Sequence, residues 1–252
     1  MTFSLRRLAG VLCVVSLVGG GTGKAAAVPA DRAFPAAPAA PGISAVSSVS
    51  SVSSVSAAAL TSDVDAADDL DDVDVATLIL VRHGEKPARG LGQLSCQGLN
   101  RALALPYVIE ARYGRPDLIV APNPARQKHD LGIAYDYVRP LATVEPTAIY
   151  FGLPVSSALG FAEVDELRAM LLAPAYRRST ILVAGEHRII ETLARRLVVD
   201  AGGAASSVPR WDSADYDSIY TLRIVRRAGR VDVMFNVSRE GLDGRATRCP
   251  GP

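Results

Sequence analysis

Three short, mainly apolar runs, 76–81, 116–122 and 179–187, lie in this sequence with longer amphipathic segments between them. Apolar runs without alternating polar positions are typical of strands buried on both faces of a parallel sheet. The segment 188–202 shows the clearest helical spacing of apolar residues. We therefore expect an α/β fold, a three-layer α/β/α sandwich with a mostly parallel central sheet.

Two further helices are expected between the first and third runs. Ser95 can cap a helix that begins near Gln97, and Pro106 should kink or interrupt this helix before the pattern resumes as far as Tyr113. A second helix is expected to start at Pro140.

The rest of the chain completes this outline. Residues 123–137 are expected to form a long loop, and 160–174 has the apolar spacing of a helix. Residues 218–238 alternate in polarity and indicate two strands that turn across Ala228 and Gly229. Helices and strands thus alternate through most of the domain.

Residues 1–27 have the pattern of a secretory signal peptide. A basic start at Arg6 and Arg7 precedes an apolar run over 8–18, and small residues lie before the expected cleavage near Ala27. This run is shorter than the roughly 20 residues that span a bilayer. We expect an exported protein, periplasmic, secreted or at the cell surface, with no stable membrane insertion after cleavage.

Residues 28–74 are expected to form a disordered spacer. They are rich in alanine, proline and serine, and seven aspartates fall between Asp63 and Asp74. Such a segment buries too little apolar surface to offset the entropy of ordering it. Residues 75–252 then form one domain.

The formal charge of the chain is +1, without basic clustering, so nucleic acid is not expected as a partner, and the sequence indicates no partner protein.

Two of the three histidines follow predicted strands. His83 comes after the first and His187 after the third, so both should emerge at the carboxyl edge of one sheet, where such folds bind ligands. Arg82 precedes the first histidine, and Arg126 and Arg139 lie beyond the second strand. Guanidinium groups fit phosphoryl oxygens. The sequence contains no His-Glu-x-x-His or His-x-His motif, so no metal site is expected.

The Arg-His-Gly-Glu motif at 82–85 resembles the signature of the histidine phosphatase superfamily, which has the phosphoglycerate mutase-like fold. Further segments resemble that family in the same order, and the likeness spans 76–200: they are 94–102, 116–122 and 181–187. Phrases that begin at Cys96 and Val138 resemble an exported bacterial branch whose substrate is unknown.

This resemblance implies a phosphomonoester hydrolase that uses neither metal nor cofactor and acts on a small phosphorylated substrate. His83 would be the nucleophile that forms a phosphohistidine, and Arg82 and His187 would stabilise charge on the phosphoryl oxygens. Arg139 is favoured over Arg126 as the second arginine, because it keeps the arginine-to-threonine spacing of the family and starts a helix.

The group that protonates the leaving oxygen is less clearly marked. Glu186 is the first candidate because it adjoins the second histidine, and Glu163 and Asp165 are alternatives in the segment where the family often has its glutamate. Gly84 should belong to the phosphate pocket, and Glu85 should orient the loop.

Three other features were considered for a role. Cys96 and Cys249 form an even pair in an exported chain and are expected to form a disulfide, with two free thiols as the alternative. His129 lies in a polar segment and is expected at the surface, whereas Trp211 and 215–220 either frame the pocket or pack in the core. A non-catalytic phosphate- or anion-binding protein that retains this pocket is the alternative function.

Overall fold

The computed structural model describes residues 73–251. Its strands and helices, in chain order, are β1 (Asp74–Arg82), α1 (Cys96–Tyr113), β2 (Leu118–Val120), β3 (Lys128–Asp130), β4 (Ile133–Tyr135), α2 (Arg139–Phe151), β5 (Val155–Ser156), α3 (Val164–Leu171), β6 (Thr180–Gly185), α4 (His187–Asp200), β7 (Ser218–Arg227) and β8 (Arg230–Arg239). The expected signal peptide and all but the last two residues of the expected spacer lie outside the described residues.

A six-stranded sheet with the order β5-β2-β6-β1-β7-β8 forms the centre of the domain. The first four strands in that order are mutually parallel, β7 runs antiparallel to β1, and β8 runs antiparallel to β7. The predicted turn at Ala228 and Gly229 joins the last two strands. Asp74, assigned by sequence to the spacer, begins β1, where it pairs in register with Arg226.

Helices cover both faces of this sheet, because β1 alternates its apolar side chains between them. Ile79 and Val81 belong to a core with Ile109 of α1 and Val144 of α2. Ala76, Leu78 and Leu80 belong to a second core, which contains Leu171 of α3 and Leu193 of α4. The predicted three-layer α/β/α sandwich with a mostly parallel sheet is confirmed.

Two details differ from the sequence expectation. Helix α1 continues through Pro106, which is buried, because the helix interior on both sides packs Leu105 and Ile109 against the sheet and this outweighs one missing hydrogen bond. The expected loop 123–137 contains the antiparallel pair β3 and β4, whose strands have three residues each and are too short to show a pattern in the sequence. Within residues 73–251, every helix is too short or too polar to traverse a bilayer.

Candidate active site

The two strand-terminal histidines follow adjacent strands of the sheet. Arg82 at the end of β1 is in register with Gly185 at the end of β6, and the N–H of His83 donates to the Gly185 carbonyl at 2.9 Å. His187 begins α4 two residues later. The structure therefore places both histidines at the carboxyl edge, where the sequence put them.

The surroundings of His83 determine which ring nitrogen can react. Nδ1 lies 2.8 Å from the carbonyl oxygen of Gly84. A carbonyl can only accept, so Nδ1 carries the hydrogen and Nε2 keeps its lone pair. Burial lowers the pKa of His83 to about 3, and the cations Arg139 and Arg82 favour the same direction. His83 is thus a neutral imidazole whose Nε2 keeps a free lone pair.

Close backbone packing fixes the loop that carries this histidine. A Cβ at Gly84 would lie 2.9 Å from the Gly98 carbonyl oxygen, and a Cβ at Gly98 would lie 2.4 Å from that of Glu85. Only glycine permits this approach of the loop to helix α1. Ser95 caps the helix through the Gly98 N–H at 3.1 Å and donates its own N–H to the Glu85 carbonyl at 2.8 Å.

Arg82 is held by a neighbouring loop and by an aromatic ring. One terminal nitrogen, Nη1, donates to the carbonyls of Ser213 at 2.8 Å and Asp215 at 2.7 Å. Its guanidinium carbon lies 3.7 Å from the ring centroid of Tyr216. The side chain is buried, and its Nε has no hydrogen-bond partner in the described residues.

Of the two candidates for the second arginine, Arg139 is buried near His83, whereas Arg126 is exposed. Arg139 is buried and forms an ion pair with Asp130, while its Nε has no partner in the described part of the chain. Burial raises the pKa of the Asp130 carboxyl, but the hydrogen bond and charge of Arg139 outweigh this and lower it to about 2. Arg126 is 69% exposed, and its Nε lies 3.8 Å from a Glu163 oxygen beside a surface groove.

Thr143 connects the second arginine to the loop of the first histidine. Its hydroxyl donates to the Arg139 carbonyl at 2.8 Å and accepts the N–H of Gly84 at 2.9 Å. The Gly84 N–H is therefore already engaged by the protein, and what this glycine contributes is the close packing of the loop.

Glu186 is the carboxylate that lies beside the second histidine. Its Oε1 is 3.1 Å from Nδ1 of His187, although the two groups are not aligned for a hydrogen bond, and its Oε2 is 3.4 Å from Nζ of Lys128. Burial lowers the pKa of His187, and the charge of Glu186 opposes this shift. Glu163 is bound to Arg126, and Asp165 pairs with Arg196 at 2.6 Å on the exposed side of α4.

Several residues of this region had no predicted role. Lys128 and Asp130 lie on one face of β3 because side chains alternate along a strand, and the exposed His129 between them points away. Tyr137 lies with its ring centroid 6.1 Å from that of His83. For Lys128 and Asp130, the sequence offers one indication, namely that they are charged residues two positions apart in a short strand. Tyr216 lines the site, whereas Trp211 packs on Tyr220 in the core.

A third buried cation, Arg101 of α1, lies behind the loop that bears His83. Its guanidinium donates to four carboxylates: Glu85 at 2.7 Å, Glu240 at 2.6 Å, Asp217 at 3.1 Å and Asp243 at 2.8 Å. Burial raises the pKa of Glu240 to about 8. Glu85, which sequence reasoning assigned to orienting the loop, is thus tied to the helix and to the C-terminal segment.

The C-terminal segment is fastened to the start of α1. Cys96, the first residue of the helix, forms the expected disulfide with Cys249. The side-chain amide of Asn100 donates to the carbonyls of Ala246 and Arg248, each at 2.8 Å. Among residues 73–251, no group of three or more His, Cys, Asp and Glu side chains is arranged to hold a metal ion.

No protein-family model and no curated protein matches this chain. Solved structures do match it, at low identity. Mycobacterial hydrolase 2 is 16% identical over 66% of this chain and 91% of its own, with a TM-score of 0.46. The SixA protein of Nakamurella multipartitia, assigned as a phosphohistidine phosphatase, is 17% identical over 66% and 96%, with a TM-score of 0.44. A mycobacterial glucosyl-3-phosphoglycerate phosphatase in complex with inorganic phosphate is 17% identical over 65% and 97%, with a TM-score of 0.43.

These structures belong to the histidine phosphatase superfamily. That is the superfamily that the motifs of this sequence resemble. The likeness is distant and concerns the fold, so the chemistry of this chain has to be inferred from its own residues.

Proposed function

We propose that this protein is a phosphomonoester hydrolase that works through a phosphohistidine on His83. One observation carries the proposal: a buried, neutral imidazole with a free Nε2 lies beside two buried arginines, Arg82 and Arg139, whose Nε atoms have no partner in the described residues. Buried cationic donors without acceptors favour a bound anion, and a phosphoryl group is an anion that a nitrogen nucleophile can attack.

In the first step, Nε2 of His83 forms a bond to phosphorus while the bond from phosphorus to the leaving oxygen breaks. Arg82, Arg139 and a ring N–H of His187 stabilise the charge on the phosphoryl oxygens. Glu186, when protonated, gives its proton to the leaving oxygen. The nucleophile needs no base, because burial holds the pKa of His83 at about 3.

In the second step, water attacks the phosphorus and the phosphorus–nitrogen bond breaks. Glu186 is now ionised and accepts a proton from this water, so that phosphate is released and the starting protonation states return. Lys128, with Nζ 3.4 Å from Glu186, stabilises the ionised carboxylate between the two steps. No metal or cofactor takes part in this proposal.

Trapping of the intermediate tests this mechanism. The protein is mixed with a labelled aryl phosphate in the presence of a chelator and denatured at alkaline pH, where phosphohistidine survives. We expect label on the peptide that contains His83, and none in a His83→Ala variant. A panel with phosphoserine and a glucosyl phosphoglycerate then compares turnover between substrates. Label on another residue, or turnover that the chelator abolishes, would refute the mechanism.

The alternative, an anion-binding protein without turnover, predicts a different pattern. Inorganic phosphate would then raise the melting temperature of the wild-type protein, but neither label on His83 nor released phosphate would be found with any member of the panel.

We also propose that the chain is exported. The signal pattern in residues 1–27 is the main support, and a disulfide that joins Cys96 to Cys249 fits an oxidising compartment. Expression of the full chain in a bacterial host, followed by N-terminal sequencing of the protein outside the cytoplasm, tests this. A start near residue 28 is expected, and an uncleaved protein in the cytoplasm would contradict it.

A further inference from the structure

The side chain of Tyr137 is fully buried, yet its hydroxyl has no hydrogen-bond partner in the described part of the chain. Buried hydroxyl groups are normally paired, because an unpaired one loses its bonds to water and gains none in return. In the unliganded protein, the Tyr137 hydroxyl is therefore a buried donor near His83 that has no acceptor among the described residues.

The position of this hydroxyl is fixed by contacts on the sides of its ring. The backbone N–H of Tyr137 donates to the Pro124 carbonyl at 2.8 Å. The ring lies edge-on to Phe161, with centroids 5.5 Å apart, and perpendicular to His83, with centroids 6.1 Å apart. The side chain is fully buried in this packing, so an acceptor for its hydroxyl has to reach it inside the site.

The charges around Tyr137 indicate what kind of acceptor this is. The guanidinium carbon of Arg139 lies 5.1 Å from the ring centroid, and Nζ of Lys128 lies 5.2 Å from it. Burial raises the pKa of the hydroxyl, so it stays protonated and can only gain by donating to a negative or polar oxygen. The carboxylates of Asp130 and Glu186 also act on the hydroxyl. With Arg82 included, the cations around the ring outnumber these two carboxylates, so an anionic oxygen is preferred.

We propose that the Tyr137 hydroxyl donates a hydrogen bond to an oxygen of the phosphoryl group that His83 attacks. This inference rests on the proposed function and adds a neutral donor to the charged donors of the two arginines. Tyr137 precedes Arg139 by two residues, so the same turn into α2 positions both groups.

Replacement of the hydroxyl by hydrogen tests this role. In Tyr137→Phe, the dissociation constant for inorganic phosphate should rise about 10- to 100-fold, which is typical for the loss of one hydrogen bond to a charged group. The value of kcat/KM for an aryl phosphate should fall by a similar factor. The melting temperature without phosphate should stay the same or increase, since no internal hydrogen bond is lost.

Tyr113→Phe is the matched control. The Tyr113 hydroxyl forms a hydrogen bond with Thr221 at 2.8 Å, at the far end of α1. This variant should melt at a lower temperature than the wild type and should keep the wild-type affinity for phosphate and the wild-type kcat/KM. Both variants remove one tyrosine hydroxyl oxygen. Tyr137→Phe should weaken phosphate binding without lowering the melting temperature, and Tyr113→Phe should lower the melting temperature without weakening phosphate binding.

Two outcomes overturn the inference. Tyr137→Phe that binds phosphate as tightly as the wild type shows that the hydroxyl does not touch the anion. A lower melting temperature of Tyr137→Phe without phosphate shows that an internal partner or a structural water uses the hydroxyl. Neither result affects the trapping of phosphate on His83 in the wild-type protein, and failure of that trapping is what removes the proposed function.

Discussion

Arg101 and Arg82 are both buried, but the protein treats their guanidinium groups differently. Arg101 donates from Nε and both terminal nitrogens to carboxylates on four different residues. Arg82 donates to two backbone carbonyls and leaves its Nε without a partner in the described residues, and Arg139 leaves its own Nε likewise. The two groups flank the same loop: Arg101 lies behind it, against Glu85, and Arg82 lies beside His83.

This difference separates a structural cluster from a binding site. A buried cation with all its donors bonded stabilises one conformation and has nothing left to offer a ligand. A buried cation with free donors costs free energy in the unliganded protein, and a bound anion recovers it. Unpaired buried donors beside His83, and not the number of charges, are therefore what indicates a bound anion at this site.

Removal of Arg101 should give the largest loss of stability. In Arg101→Met, buried Asp217 loses its counter-ion and buried Glu240 loses a hydrogen-bond donor, so the free energy of unfolding should fall by about 3 to 5 kcal/mol. Chemical denaturation measures this. Arg196→Met removes an exposed pair with Asp165 and should cost less than about 1 kcal/mol. Equal effects of the two changes would contradict the structural role of the cluster.

Removal of Arg82 should reduce turnover strongly and stability only slightly. We expect Arg82→Met to lower kcat/KM about 10³-fold, which is typical for the loss of a donor to a developing oxyanion. Its free energy of unfolding should change much less than that of Arg101→Met. Steady-state kinetics and denaturation of the same preparation measure both. A variant that unfolds easily but retains turnover would reverse the assignment of the two arginines.

Glu186 should matter in proportion to the difficulty of the leaving group. Glu186→Gln cannot give a proton to the leaving oxygen, so kcat/KM for an alkyl phosphate, which reports the first step alone, should fall about 10²-fold. An aryl phosphate should be much less affected, because a phenolate leaves without being protonated. Comparison of the two substrates with wild type and variant is the measurement. An equal loss on both would indicate that Glu186 only positions His187.

The pH dependence of stability should report on Glu240. Its folded pKa of about 8 lies above the ordinary value of 4.5 for a glutamate. The folded state then binds more protons between these values, so the free energy of unfolding should decrease as pH rises from about 4.5 to 8. Glu240→Gln cannot titrate and should flatten this part of the curve. A wild-type curve that rises over the same interval would contradict the raised pKa.

The sequence predicted the parts of the site that local patterns carry. His83 follows a buried strand, and both His187 and Arg139 start a helix. The order of the apolar runs was enough to predict that the two histidines lie at the same edge of the sheet. The sheet and its two helical layers followed from the same runs. Contacts within such elements depend mainly on spacing, which a sequence displays directly.

The missed residues depend on long-range contacts. Asp217 and Asp243 are 116 and 142 residues from Arg101, and no periodicity links them. Lys128 and Tyr137 lie in a segment whose two strands have three residues each, so its shape is set by the domain around it. A residue pattern cannot show which donors remain unpaired, since this depends on the position of every neighbour.

The fastening of the C-terminal segment to α1 also has a consequence for biosynthesis. Arg101 is translated early in the domain, but its partner Asp243 follows it by 142 residues, and Cys249 follows its disulfide partner Cys96 by 153 residues. The support of the His83 loop can therefore be completed only after residues 243–249 have left the ribosome. A chain that ends before Asp243 would contain every residue assigned to the chemistry and still lack the ion pair and the disulfide that hold this loop against α1.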